Sequence, residues 1–91
     1  MTQSFQNNTA RSRYELVEEG QTAFADYRIS GANIYIDHVE SPIPLRGAGT
    51  AGRLMQALAD DVRARGLKII PICGYAAAWL RRHPETRDLL T

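Results

Sequence analysis

Apolar and polar residues alternate along three short stretches in the first half of the chain and recur at helical spacing in the second. The run at 13–18, Arg-Tyr-Glu-Leu-Val-Glu, carries the aromatic and branched residues that suit a strand, and Glu19-Gly20-Gln21 supplies a turn. A second strand is predicted over 22–30. Ala23, Ala25, Tyr27 and Ile29 fall on one of its faces and Asp26, Arg28 and Ser30 on the other, with Phe24 breaking the alternation. Gly31-Ala32 makes a tight connection to a third strand over 33–39, in which Ile34, Ile36 and His38 share a face. Pro42 and Pro44 stop it, because proline lacks a backbone donor and pushes its predecessor to an extended conformation.

The Gly-rich turn Arg46-Gly47-Ala48-Gly49-Thr50-Ala51-Gly52 opens the clearest helix. There Ala51, Leu54, Met55, Leu58 and Val62 form one stripe, and Arg53, Gln56, Asp60 and Arg63 cover the opposite side. Arg65-Gly66 closes the helix with a basic turn and a glycine cap. The run 67–73 is almost wholly apolar and predicts a buried strand. A strand, a crossover helix and a strand in succession predict a parallel pair with a right-handed connection. Pro71 must interrupt that pairing, at a bulge or where two strands diverge. Gly74 then releases a second helix over 75–82, which His83-Pro84 ends. The first dozen residues are mostly Gln, Asn, Ser and Thr without periodicity, and they read as a flexible tail, 1–12. The expected fold is therefore a single α/β (α+β) domain over 13–91, with a mixed sheet and the order β-β-β-α-β-α.

Composition narrows the partners. The chain has 91 residues, 44% of them hydrophobic and 23% charged, which suits one ordinary globular domain. A net charge of +1 disfavours nucleic acid as a partner, since phosphate-backbone binding needs a basic excess. A lone Cys excludes an internal disulfide, and the lack of Cys/His ligand spacing leaves no structural metal site. No apolar run reaches the roughly 20 residues of a membrane helix, and residues 1–8 lack a signal-like apolar core, so a cytoplasmic protein with no membrane partner is expected. A domain this small is marginal alone and gains from a ligand or a second copy, hence a monomer or weak homodimer.

The Gly-rich turn is the strongest chemical signal. Glycines allow a tight turn and close approach, and the free amides of the following helix favour an anion. The turn is either a phosphate site or a purely structural connection; it is neither a Walker loop nor a dinucleotide fingerprint. Three further residues each carry two readings. Cys73 is a core thiol or a reactive one, His38 a hydrogen-bonded core residue or a base, and Tyr75 an aromatic packed on Trp79 or an acid. His83 reads as a cap, and Arg81-Arg82 as a solvated helix end or a phosphate contact.

Arg46-Gly47-Ala48-Gly49-Thr50-Ala51 matches an Arg/Gln-x-x-Gly-x-Gly/Ala pattern. His38, the run from Pro42 to Gly47, Ile70-Pro71-Ile72-Cys73-Gly74-Tyr75 and Arg81-Arg82-His83-Pro84-Glu85 accompany it in order. Together these resemble the small single-domain GNAT-like N-acetyltransferases over roughly residues 13 to 90. The resemblance implies acetyl-CoA (coenzyme A) as cofactor, held where two parallel strands splay, and acetyl transfer to an unidentified amine acceptor. A non-catalytic CoA-binding or interaction module of the same fold is the alternative. By the resemblance, the amides of Arg46, Gly47, Ala48, Gly49, Thr50, Ala51 and Gly52 wrap the pyrophosphate, and the backbone near Val39 pairs with the pantetheine arm. Cys73 lies beside the acetyl group, either attacking the thioester with His38 as base or protonating the departing thiolate, with Tyr75 as a second acid. Family members often carry a small hydroxyl residue where this chain has Val39, and Glu40 is a further group to deprotonate an amine. A short chain has room for the coenzyme half of such a fold, so an acceptor site completed by a large acceptor or a second subunit is expected.

Overall fold

Two tight turns organise the sheet. Glu19 and Gly20, at φ 52° and 73°, reverse the chain between β2 (Arg13–Glu18) and β3 (Gln21–Ser30), while Gly31, at φ 60°, does the same before β4 (Asn33–Glu40). The computed structural model, which describes residues 3–90, adds β1 (Gln3–Asn8) ahead of them and β5 (Lys68–Pro71) after a 15-residue helix, α1 (Thr50–Ala64). A second helix, α2 (Gly74–Arg81), and a 310 segment, Pro84–Leu89, follow. Strand order equals chain order, β1-β2-β3-β4-β5; the first three pairings are antiparallel and β4 with β5 is parallel, as the strand-helix-strand succession predicts.

Both helices cover one face of the sheet. Tyr14, Leu16, Ala25, Ile34, Ile36 and Ile69 meet Leu54, Met55, Leu58 and Val62 of α1 and Ala76, Trp79 and Leu80 of α2 in one buried cluster. The other face is left to polar pairs. Arg13 bonds Asp26 at 2.7 Å and lies over the Phe24 ring, and Arg28 grips Asp37 with two bonds of 2.7 and 2.9 Å while covering Tyr35. Such one-sided burial is the usual use of antiparallel strands. Among the described residues no helix is long and apolar enough to cross a membrane.

The structure corrects three expectations. The flexible tail over 1–12 is instead, within the described residues, the edge strand β1 and a 310 turn at Thr9–Arg11, with Met1 and Thr2 outside those residues. Its polar side chains are used. Asn7 Oδ1 accepts a 2.7 Å bond from the Tyr27 hydroxyl, Gln6 bonds Glu15, and Phe5 stacks on Tyr14 at 5.7 Å. An edge strand needs only its backbone ladder and one apolar anchor, so composition hid it. Second, Ile29 does not continue the buried set of Ala23, Ala25 and Tyr27, but is 51% exposed where β3 runs past the helices. Third, His38 leaves the face of Ile34 and Ile36. Asp26 pairs with His38 and Tyr27 with Ile36, so Asp37 is an extra residue, a β-bulge that reverses the parity of the strand beyond it. Beyond the helix that His83-Pro84 ends, the 310 segment buries Thr86 and Leu89, and Leu90 bridges Ile69 alongside β5.

Candidate active site

Pairing between β4 and β5 ends at Ile36 and Pro71. Pro71 has no amide to donate, and the next two amides, of Ile72 and Cys73, both converge on the Ile36 carbonyl at 3.0 Å. The chain thus turns away into α2 while β4 continues through Glu40, and the two parallel strands diverge. This is the second of the two outcomes expected of Pro71.

A cleft of about 610 Å³ lies beyond that divergence. The end of β4 contributes His38, Val39 and Glu40, the connection Ser41, Leu45 and Arg46, the turn and first helical residues Gly47, Gly49, Thr50, Ala51 and Gly52, and α2 contributes Tyr75. Its size falls in the range of small-molecule sites, roughly 300–1,000 Å³. Nearly every residue that the sequence assigns to the turn therefore shares one wall of one cleft.

That wall suits an anion. Gly47 and Gly49 adopt φ 84° and 83°, conformations that strain any side chain, and a Cβ on Gly47 would meet nothing within 4 Å. Gly49 caps α1 without a side-chain bond, so the amides of the first turn point outward with the positive end of the helix dipole. Gly52 has no such backbone requirement: a Cβ there would make an ordinary 3.6 Å contact with Trp79 Nε1. Arg46 bonds the Ser41 carbonyl through Nε at 3.1 Å and brings its charge to the same wall.

Glu18 holds the turn in place. It is 7% exposed and accepts a 2.6 Å bond from the Thr50 hydroxyl and two 2.7 Å bonds from the Arg53 guanidinium, whose Nη2 also donates to the Ala48 carbonyl at 2.9 Å. The carboxylate raises the Arg53 pKa further above its ordinary value. Sequence reasoning missed this clamp by placing Arg53 on the solvent side of α1. The signal was present in the alternation: Tyr14, Leu16 and Glu18 fall on the buried face of β2, and a buried carboxylate requires partners.

The candidate chemical groups are distributed unequally. Tyr75 lines the cleft, 40% exposed, and burial raises its phenol pKa, with Arg82 opposing and Cys73 adding a smaller rise. The expected packing partner of Tyr75, Trp79, stacks instead on His83 at 3.7 Å, and His83 Nδ1 donates to the Trp79 carbonyl at 2.7 Å, which fixes His83 as a helix-end cap. His38 Nε2 lies 2.9 Å from Glu40 Oε1, with its ring 6.0 Å from Phe24 on the open face of the sheet. Cys73 caps α2 and packs against the core on the other side. Imidazole and thiol are turned to different sides of the sheet, while Val39 packs inward and its strand edge borders the cleft.

One further atom had no place in the sequence reading. The Ser41 hydroxyl is buried and has no hydrogen-bond partner among the described residues. An unpaired buried hydroxyl costs about 1–3 kcal/mol.

Comparison with known proteins completes the description. The family model described as GCN5-related N-acetyl-transferase matches residues 13–89. The solution structure of a protein from Staphylococcus aureus named "GCN5-like putative N-acetyltransferase" superimposes with a TM-score of 0.71 at 21% identity, covering 97% of this chain and 87% of that one. No curated protein matches the chain.

Proposed function

Because the chain belongs to the GCN5-related N-acetyltransferases, and so to the acyl-transferring enzymes, we propose that it transfers the acetyl group of acetyl-CoA to an amine. The observation that carries this reading is the divergence of β4 from β5 onto a cleft walled by the amides of α1 and by Arg46. A pyrophosphate fits the outward amides of Gly47, Gly49, Thr50 and Ala51, and Arg46 adds a charge-assisted contact. The edge of β4 near Val39, past the last pair with β5, is the place for an extended amide-bearing arm.

Acetyl-CoA supplies the acyl group as a thioester. Tyr75 keeps its phenol proton at neutral pH, because burial disfavours the phenolate, and donates it to the departing sulfur as the carbon–sulfur bond breaks. His38, oriented by Glu40 at the lip of the cleft, takes the proton from the attacking amine. This is direct transfer. The covalent alternative, with the acetyl group passing first to the Cys73 sulfur, needs a base at the thiol, and the imidazole is engaged with Glu40 on the opposite side.

Calorimetry tests the reading. CoA binds more tightly than a free adenine nucleotide, and Arg46→Ala or Gly49→Val weakens it by roughly tenfold or more. Equal affinity for CoA and the nucleotide overturns the assignment. Intact mass after incubation with acetyl-CoA separates the two routes, since direct transfer predicts no acetyl adduct that disappears in Cys73→Ala. A binding module without turnover would bind CoA and leave every amine unmodified.

A further inference from the structure

The two edges of the sheet are finished differently. Beside β5 the chain returns and Leu90 bridges Ile69, which covers part of that edge. At the other end β1 pairs only with β2, and alternate residues of β1 turn their N–H and C=O groups away from the sheet. Proteins guard such an edge with charged side chains, proline or a bulge. β1 has none of these: Gln3-Ser4-Phe5-Gln6-Asn7-Asn8 is uncharged and pairs with β2 residue for residue. Beside it lies a second cleft, of about 320 Å³, between the outer strands and α1. Phe5, Leu16 and Ala57 form its apolar part, and Arg53, Gln56 and Asp60 its polar rim.

We propose that this edge is the interface with a second copy of the chain, β1 pairing antiparallel with its own counterpart across a two-fold axis perpendicular to the sheet. Opposite residues of an antiparallel pair share a face, so such an axis passes through a residue and not between two. Placed at Phe5, it sets the two phenyl rings side by side where the clefts join, with Gln3 against the partner's Asn7 and Ser4 against the partner's Gln6. No like charges meet. The charges on α1 fit the same symmetry. Arg53 and Asp60 are two helical turns apart on one face of α1, and the axis runs the two helices antiparallel, so that Arg53 of each copy faces Asp60 of the other. Their side chains are 47% and 64% exposed. Each also keeps an atom for the pair: among the described residues Arg53 bonds Glu18, Ala48 and Thr50 through Nε and Nη2, which leaves Nη1, and the contacts of Asp60 with Gln56 and Arg63 both fall on Oδ1, which leaves Oδ2. A foreign strand could extend the ladder, but a second copy supplies this reversed order of charges by symmetry alone.

One short ladder and two exposed ion pairs make a small interface, so the dimer is weak and the dilute protein is a monomer with its edge open. The test combines sedimentation equilibrium with amide exchange over rising concentration of the whole chain. The mass rises from that of one chain toward that of two, and the β1 amides gain protection in step while those of β3 do not change. Asp60→Lys, which turns both attractions into repulsions, weakens association roughly tenfold, whereas Asp60→Glu stays within about threefold of wild type. Both variants melt with wild type when dilute, since Asp60 faces water. A dimer whose β1 exchange ignores concentration, or whose strength ignores Asp60→Lys, uses another surface and overturns the proposal. A chain that stays monomeric throughout overturns it as well and leaves the edge to a foreign strand. The exchange measurement on wild type decides without any variant having to fold.

Discussion

Glu18 shows how much a single position organises. It ties a β2 end to the first turn of α1 through Thr50 and Arg53, and Arg53 returns to the Ala48 carbonyl inside the glycine turn. Removing one partner of a fully buried ion pair costs roughly 3–5 kcal/mol, but the Arg53 side chain is 47% exposed and rehydrates. Glu18→Ala should therefore lower stability by about 2 kcal/mol in urea titration, and should also weaken CoA, because the turn loses its brace. Gly49→Ala strikes the same clamp: its φ of 83° strains a side chain, and the new Cβ would sit 3.1 Å from Arg53 Nη1. Tyr14 offers a pH test. Burial, then its 2.6 Å bond to Asp61, raises the phenol pKa. The unfolded phenol titrates near 10, so this contribution is fully present below about pH 10 and is lost as the pH rises from there toward the folded value. Alkaline unfolding of Tyr14→Phe should show a shallower dependence above that pH.

Among the elements, those with strong periodicity were legible and those fixed by pairing were not. The α1 stripe of Leu54, Met55, Leu58 and Val62 is buried as its spacing predicts, and the parallel β4–β5 pair follows from the intervening helix. β1 escaped because its stability comes from the ladder with β2 and from contacts such as Phe5 on Tyr14, neither of which leaves a mark in local sequence. Phe5→Ala should cost about 1–2 kcal/mol, and the β1 amides should exchange with solvent faster than those of β3, which is paired on both sides. If β1 exchanges as slowly as β3, the edge assignment of its stability is wrong. Of the site, the glycine turn was legible as a unit because backbone conformation dictates residue type there. The facing of His38 was not, since a bulge is invisible to a period-two count, and neither was the hydroxyl of Ser41, whose meaning depends on what surrounds it.

For the molecule as a whole, one helix layer on one face of a five-stranded sheet leaves a modest core, and the cleft opens at its margin. A ligand at 100 times its dissociation constant adds about 2.7 kcal/mol, and in a domain of this size each kcal/mol moves the melting temperature by roughly 4–8 °C. Saturating CoA should therefore raise the midpoint by about ten degrees or more, measured by thermal scanning, with Arg46→Ala requiring more ligand for the same rise. At the acid end, Arg28 and Arg63 hold the Asp37 and Asp88 carboxyls below their ordinary values. That contribution is present above the unfolded carboxylate range and fades as the pH falls below about 4, and it is small because both groups face water. The extra residue at Asp37 has a last consequence. It sets a reading frame for the three strand positions that follow, so that Val39 looks to the core and His38 and Glu40 look out. Deleting one residue there, with no substitution at all, would exchange the two sets and present a different chemistry at the lip of an otherwise unchanged cleft.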